Sequence, residues 1–184
     1  MGKVGKFFFD TIQVIVFALS IFAFIYLLIL QPHKINGQSM MPNFPNGEFL
    51  LTDKVTYRYK EPERGDVVIF KPPTNKEEEF IKRIIGLPGD SISLNNGKIF
   101  VNGSLLQEDY IDGRIYTSGG SFLREGTAVI VPEESYFVAG DNRPHSSDSR
   151  EWGTISKDAI TGRAWLVYWP ISNAGTVESP SYNI

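Results

Sequence analysis

Cysteine is absent from this sequence of 184 residues. Its absence excludes disulfide bonds, thiol catalysis and zinc sites built on cysteine. Histidine is also scarce, because only His33 and His145 occur, and a histidine-rich metal site is therefore not expected. We expect no cofactor.

Long runs of basic charge are missing as well. The net charge is −3, and no cluster of five or more lysines and arginines occurs, so nucleic acid is not an expected partner. Hydrophobic residues make up 42% of the chain and aromatic residues 13%, which excludes a disordered chain. The length suits one domain with a good core and a small appendage.

One long apolar run stands near the beginning of the chain. Residues 11–30 carry no formal charge, and a helix of that length spans a hydrocarbon core of ~30 Å. A buried helix of a soluble protein would show a polar face, which this run lacks. A cleaved signal peptide would have a shorter apolar region and a small-x-small site after it. The pattern predicts an uncleaved transmembrane anchor.

The charges around the predicted anchor favour one orientation. Lys3 and Lys6 lie before it, in a short N-terminal segment of residues 1–10, and Lys34 follows it. The positive-inside rule then places residues 1–10 in the cytoplasm and the rest of the chain outside it.

Beyond the anchor, the apolar runs are short and rich in β-branched residues, which favours strands. Asn95-Asn-Gly97 predicts a hairpin turn. We therefore expect an all-β, Greek-key or barrel-like domain after a single transmembrane helix. The predicted strands are 48–52, 55–59, 67–70, 80–85, 91–94, 98–101, 135–139 and 160–168.

The same pattern divides the chain into parts. Residues 31–90 and 136–170 are expected to form the catalytic β domain, and residues 91–135 an inserted small β subdomain. Residues 171–184 are polar, and we expect them to be frayed.

Lys82 lies in the middle of a predicted apolar strand. Because side chains alternate along a strand, Lys82 shares a face with Phe80 and Ile84, and Arg83 points to the other face. A lysine on an apolar face tends to lose its proton, and a neutral lysine is a competent general base. The alternative is a lysine at a sheet edge whose amine reaches water.

Ser39, in the turn-forming stretch Gly37-Gln38-Ser39-Met40-Met41-Pro42, is the candidate nucleophile. A Ser-His-Asp triad with His145 is one arrangement that the residue types allow. A Ser-Lys dyad with Lys82 is another, and it alone uses the lysine in the strand. Paired carboxylates would be a third kind of site, although arginines beside them favour ion pairs. The acidic residues concerned are Asp141, Asp148 and Glu151.

Four segments of the chain, in order and after a membrane anchor, resemble the conserved boxes of bacterial type I signal peptidases. The resemblance covers residues 11–170. The matching segments are Ser39-Met40-Met41-Pro42, Arg64-Gly65-Asp66-Val67-Val68, Ile81-Lys82-Arg83-Ile84-Ile85-Gly86-Leu87-Pro88-Gly89-Asp90, and Gly140-Asp141-Asn142-Arg143 followed by Ser146-Ser147-Asp148-Ser149-Arg150.

The resemblance implies roles for individual residues. Ser39 corresponds to the family nucleophile and Lys82 to the general base. Ser146 corresponds to the serine that orients the lysine amine, and Asp148 and Arg150 to a supporting pair. The Ser39 N–H is expected to supply an oxyanion-hole donor. Gly37 stands where some members carry a side-chain hydroxyl, so that donor is absent.

By the same resemblance, the expected reaction is removal of signal peptides from secretory preproteins, after small residues at positions −3 and −1 (Ala-x-Ala). Met40, Phe44 and Ile81 are expected to line the shallow substrate pockets. The lipid bilayer and the protein translocation machinery are the other expected partners. The expected location is the bacterial plasma membrane, as a single-pass protein with its catalytic domain outside the cytoplasm.

Three other interpretations remain open at this point. Self-cleaving repressors of the LexA type use a similar Ser-Lys pair, but they carry a DNA-binding segment where this chain has an apolar run. A membrane-anchored β module could bind a partner without catalysis. A peptidase specialised for one substrate would have the same motifs as a general one.

Overall fold

The chain begins with an apolar helix, α1 (Lys3–Leu28), that leads almost directly into the first strand. The computed structural model describes residues 2–182, apart from the side chain of Leu27. The part from Lys3 to Tyr26 is long and apolar enough to cross a membrane, and none of it is buried against the rest of the protein. The helix starts earlier than the predicted span of 11–30, because Lys3, Lys6 and Asp10 are compatible with helical structure.

The described residues after α1 form twelve strands. Two of them, β10 and β12, are only two residues long and belong to a main sheet whose other strands are longer. The strands in chain order are β1 (Leu30–Lys34), β2 (Phe49–Asp53), β3 (Val67–Phe70), β4 (Phe80–Gly86), β5 (Ser91–Asn95), β6 (Lys98–Val101), β7 (Ser104–Leu105), β8 (Ala128–Ile130), β9 (Ser135–Ala139), β10 (Ile155–Ser156), β11 (Ile160–Trp169) and β12 (Gly175–Thr176).

Two antiparallel sheets result. The main sheet has the order β1-β2-β11-β3-β4-β9-β10, with β12 paired to β11, and the second has the order β7-β6-β5-β8. All four strands of the second sheet lie within residues 91–135. The expectation of a mostly β protein behind one apolar helix is confirmed. The insertion of β11 between β2 and β3 brings distant parts of the chain into one sheet.

Three apolar clusters hold the sheets together. One joins β5 and β6 to β9 through residues such as Leu94 and Phe137. A second packs Met40 and Phe44 against β2, β3 and β11. A third lies on the other side of β3 and β4, around Ile84. The second cluster fixes the loop between β1 and β2, which carries Ser39.

The prediction of a strand at residues 55–59 is wrong. The segment contains a 3₁₀ turn at Thr56–Arg58. The Asp53 carboxylate accepts hydrogen bonds from the backbone N–H groups of Val55 and Thr56 and from the Thr56 hydroxyl. These bonds favour a turn over an extended strand because they satisfy the local donors within the segment.

The polar C-terminal segment is docked, contrary to the expected fraying. β12 pairs with β11, and Val177 donates a backbone hydrogen bond to Trp165 at 2.8 Å. Ser179 donates to the buried Asp66 at 2.7 Å. The expectation for residues 183–184 lies outside the described residues. A segment with few apolar residues is thus held by strand pairing and hydrogen bonds, which its composition does not reveal.

Leu94→Ala should destabilise the protein. Leu94 is fully buried where the two sheets meet, so its truncation is expected to lower the free energy of unfolding by about 2–5 kcal/mol. Leu105→Ala is the matched control, because Leu105 lies in the same sheet and is 48% exposed. Denaturant unfolding of both variants in detergent, followed by tryptophan fluorescence, measures the difference. Equal losses for the two variants would contradict this account of the core.

Candidate active site

Ser39 lies in the loop between β1 and β2, held from two sides. Met40 is 1% exposed and packs into the cluster below the loop. From the loop after β9, the Asn142 N–H donates to the Ser39 carbonyl at 3.0 Å, and the Asn142 side chain donates to the Gln38 carbonyl at 2.9 Å. The serine is therefore fixed by neighbours on both sides although it belongs to a loop.

Lys82 reaches this serine from β4. Its Nζ donates to Ser39 Oγ at 2.8 Å and to the Ile81 carbonyl at 2.9 Å. The side chain is buried, and Nζ lies 5.1 Å from the centre of the Phe80 ring. The alternative in which the Lys82 amine reaches water is therefore wrong, although Phe80–Lys82 pairs with a strand on one side only.

Burial changes the acidity of the Lys82 amine. Desolvation lowers the pKa of Lys82 from 10.5 to about 8, and the negative charges of Asp148 and Asp141 oppose the change. About a tenth of the amine is then neutral at pH 7, and about half at pH 8. A neutral amine can accept the Ser39 hydroxyl proton along the same 2.8 Å contact.

Asp148 organises the loop beside the lysine. Its two oxygens accept hydrogen bonds from the Ser146 hydroxyl at 2.7 Å, the Gly140 N–H at 3.0 Å and the guanidinium of Arg150 at 2.8 and 2.9 Å. Burial alone would raise the pKa of Asp148, but these donors, Arg150 foremost, hold it below its usual value. Arg150 also binds the backbone carbonyls of Ser118, Arg143 and Ser146. The pair thus closes the loop into a rigid unit.

Gly140 allows this loop to approach Ser39. A Cβ at Gly140 would lie 2.4 Å from the Ser39 carbonyl oxygen and 2.3 Å from Ser146 Oγ. Such contacts are impossible without a shift of the backbone or of Ser146. The glycine is therefore needed to place Ser146 and Asp148 next to the Ser39–Lys82 pair.

A second buried ion pair lies on the other face of β4. Arg83 Nε and Nη2 donate to the two oxygens of Asp141 at 2.9 and 2.7 Å. The Asn43 amide donates to the same carboxylate at 2.8 Å. Lys82 and Arg83, which alternate across the strand as predicted, thus bind the two loops that meet at the site.

The dyad opens into a cleft of about 310 Å³. The walls are the end of β1 with the residues after it and the beginning of β4, and the apolar floor includes Ile35, Leu50 and Ile69. Ile81 lines the cleft. Met40 and Phe44 instead lie in the core cluster below the Ser39 loop, and Phe44 borders a separate pocket.

The structure separates the other proposed constellations. His145 lines the same cleft, but the described hydrogen-bond partner of Ser39 Oγ is Lys82. Asp141 and Asp148 bind Arg83 and Arg150, as the ion-pair interpretation of these carboxylates expects. Glu151 accepts hydrogen bonds from Ser121 and does not approach the dyad through any described contact.

Two cleft residues escaped the sequence analysis. His33 of β1 and Glu79, just before β4, are joined by a 2.8 Å hydrogen bond and both line the cleft. His33 also contacts the Thr52 hydroxyl at 2.8 Å. Neither residue belongs to a recognisable motif, and only the pairing of β1 at the sheet edge brings the two segments together.

Comparisons with known proteins identify the family of this chain. The family described as signal peptidase, peptidase S26, matches residues 8–169. A probable signal peptidase I-2 from Synechocystis sp. is 38% identical over 146 residues, which make up 77% of this chain and 64% of that protein, so the chain spans less than two thirds of this relative. Signal peptidase IB from Staphylococcus aureus strain COL is 34% identical over 155 residues, 78% of this chain and 80% of that protein.

A crystal structure of a signal peptidase I from Enterococcus faecalis V583 aligns with a TM-score of 0.48 at 32% identity, over 56% of this chain and 97% of that one. The family match covers most of the chain, and the staphylococcal relative exceeds 30% identity over most of its own length. The chain therefore belongs to the signal peptidase family, peptidase S26.

Proposed function

We propose that this protein is a membrane-anchored serine endopeptidase that removes signal peptides from secretory preproteins, with Ser39 as the nucleophile and Lys82 as the general base. The observation that carries the proposal is the 2.8 Å contact between Ser39 Oγ and a buried lysine whose pKa is lowered to about 8. This geometry suits activation of a hydroxyl by an amine and has no clear use in a binding module.

In the proposed reaction, the neutral Lys82 amine takes the proton of Ser39 Oγ as the oxygen attacks the scissile carbonyl. The resulting ammonium donates a proton to the leaving amine, and an acyl-enzyme forms. The leaving amine is the new N-terminus of the mature protein. Lys82 then takes a proton from the attacking water and returns it to Ser39 Oγ as the acyl bond breaks, which releases the signal peptide with a free carboxylate. Each step moves one proton along contacts that Lys82 already makes or can reach through the cleft.

The developing oxyanion needs hydrogen-bond donors. The Ser39 N–H has no acceptor among the described residues and is available for this role. Gly37 has a positive φ of 108° and offers no side-chain donor. The Ser146 hydroxyl donates to Asp148, and Ser146 belongs to the loop that Gly140 allows to approach Ser39. This placement supports a role for Ser146 in orienting the Lys82 amine.

The cleft suits an extended peptide. β1 is the edge strand of the main sheet, and β9 pairs with β4 only from Arg83 onwards, so the stretch Phe80–Lys82 has one free edge among the described strands. An added strand could bind to such edges through its backbone. The apolar floor favours apolar side chains, which is compatible with the alanines of an Ala-x-Ala cleavage site.

The anchor determines where cleavage takes place. α1 ends at Leu28 and β1 starts at Leu30, and Ser39 follows soon after β1. The site must therefore lie close to the membrane surface, where a signal peptide held in the bilayer would present its cleavage site. Lys3 and Lys6 support a cytoplasmic N-terminus and an extracytoplasmic catalytic domain. The translocation machinery would deliver substrates on that side.

Ser39→Ala and Lys82→Ala should each abolish cleavage of a preprotein with an Ala-x-Ala site. We expect losses of at least about 10³-fold, because each change removes a group that acts in bond making. Purified full-length variants in detergent are compared with wild type, and mass spectrometry maps the cut. Ser104→Ala and Lys76→Ala, at exposed positions away from the cleft, are the matched controls. Wild-type rates in a folded Ser39→Ala variant would overturn the nucleophile assignment.

The rate should depend on pH through Lys82. Because only the neutral amine acts as a base, kcat/KM is expected to fall about tenfold per pH unit well below the Lys82 pKa and to level off above about pH 8. A preprotein that stays unfolded across the pH range keeps substrate effects out of the measurement. A profile that is flat through the acid side would contradict the lysine-base mechanism.

Substrate side chains should be selected by size. Replacing alanine at position −1 of the substrate with phenylalanine is expected to lower kcat/KM by at least about 10²-fold, because the resemblance to signal peptidases implies a −1 pocket that admits only small side chains. The same replacement at position −2 is the control, since neighbouring side chains of a bound strand point in opposite directions. Equal rates for alanine and phenylalanine at −1 would contradict the proposed pocket.

A further inference from the structure

The C-terminal segment 177–182 crosses the back of the site. Val177 packs on the cluster that contains Met40. Ser179 donates to Asp66 at 2.7 Å and accepts a bond from Arg163 at 3.3 Å. Pro180 and Tyr182 then lie against Gly65, in the loop before β3. Strand pairing, apolar packing and side-chain hydrogen bonds thus hold the whole segment.

Gly65 is shaped for this contact. Its φ is +93°, a conformation that favours glycine. A Cβ at this position would lie 2.9 Å from the Tyr182 ring and 3.0 Å from Pro180. Both the backbone conformation and the approach of the C-terminal segment therefore require the absence of a side chain here.

The Gly65 contact leads directly to Arg83. The Gly65 carbonyl accepts a hydrogen bond from Arg83 Nη1 at 3.0 Å. The guanidinium of Arg83 lies 4.2 Å from the centre of the Tyr110 ring, and Tyr182 meets Tyr110 edge to face at 6.4 Å between ring centres. Tyr182 thus touches two of the groups that hold the guanidinium in place.

Arg83 is close to the dyad in two ways. It follows Lys82 on β4, and its partner Asp141 precedes Asn142, whose N–H holds the Ser39 carbonyl. A shift of the Arg83–Asp141 pair would therefore move both members of the dyad.

We propose that residues 177–182 form a strap in which Tyr182 is a positioning residue: its ring fixes Arg83 against Asp141 and thereby keeps Lys82 and Ser39 in register. This inference rests on the peptidase function proposed above. The Tyr182 ring does the positioning, because its hydroxyl is buried without a hydrogen-bond partner among the described residues.

The strap should also affect the acidity of Lys82. The carboxylates that face Lys82 are Asp148 and Asp141, each neutralised by an arginine, and His33, Glu79 and His145 line the cleft in front of it. If Arg83 is held less firmly, the charge of Asp141 is less well compensated. The protonated lysine is then favoured, and the acid limb of the rate profile moves to higher pH.

The test compares full-length Tyr182→Ala and Tyr182→Phe with wild type. Tyr182→Ala is expected to lower kcat by about tenfold with KM nearly unchanged, and to shift the acid limb upward. Tyr182→Phe keeps the ring and loses only an unpaired hydroxyl, so it should behave as wild type. Thermal unfolding by circular dichroism is measured for every variant.

Two further variants separate positioning from stability. Val177→Ala shortens a side chain at the other end of the strap, and it should lower the melting temperature without moving the acid limb. If Tyr182→Ala does not fold, Tyr182→Leu keeps apolar cover on Gly65 but removes the ring edge from Tyr110, and it should show the same shift of the acid limb.

A folded Tyr182→Ala variant, or the leucine variant in its place, with the wild-type kcat and acid limb would overturn the strap. The strap would also be overturned if Val177→Ala lowered kcat and shifted the acid limb as Tyr182→Ala does. Ser39→Ala is run alongside: if that variant still cleaves, the proposed function itself fails, whereas an inert Ser39→Ala with a wild-type-like Tyr182→Ala rejects only the strap.

Discussion

The burial of one lysine beside one serine is the constraint on which the rest of this site depends. Moving an amine out of water disfavours its charged form, and a decrease in the Lys82 pKa from 10.5 to about 8 corresponds to roughly 3 kcal/mol. The protein tolerates this cost because the rest of the fold holds β4 in place: Lys82 pairs with Val68 of β3, and β9 pairs with β4 from Arg83 onwards. The same burial that destabilises the ammonium makes the amine a usable base near neutral pH.

Two buried ion pairs lie near that amine, and their main effect is to fix the positions of the residues around it. Desolvation offsets much of the attraction within a buried pair, so such pairs contribute little net stability but strongly resist the loss of either partner. Arg150 with Asp148 and Arg83 with Asp141 hold the single loop that follows β9 at two points. Because each carboxylate is neutralised, its field raises the Lys82 pKa less than a free carboxylate would. The same two ion pairs thus hold the loop in place and limit the effect of its carboxylates on the Lys82 pKa.

The C-terminal segment lies outside the region of the chain that the family model matches. The signal peptidase family match covers residues 8–169, whereas the strap at residues 177–182 lies beyond it. The contacts of Tyr182 with Gly65 and Tyr110 connect a segment outside the matched region to a residue inside it. A feature of this chain that the family model does not describe can therefore bear on the chemistry that the family suggests.

Much of the fold was predictable because its signals are local. The apolar run, the β-branched segments around Val67 and Phe80, and the Asn96-Gly97 turn each depend on neighbouring residues. The strand expected at 55–59 failed because a side chain, Asp53, satisfied the backbone donors in a way that strand propensity does not capture. β1 was missed because Pro32 and the polar residues around it do not resemble a strand, and only pairing with β2 makes it one.

The sequence by itself determined the residue types available for chemistry, the alternation that sends Lys82 and Arg83 to opposite faces, and the excluded classes of thiol and cysteine-metal sites. Tertiary structure alone decided that Lys82 is buried within 2.8 Å of Ser39, that Met40 and Phe44 belong to the core, and that the C-terminal segment is docked. The physical reason is the separation along the chain over which each interaction acts. Alternation and turn formation act over a few residues, whereas desolvation, ion pairing and docking depend on which distant segments the sheet brings together.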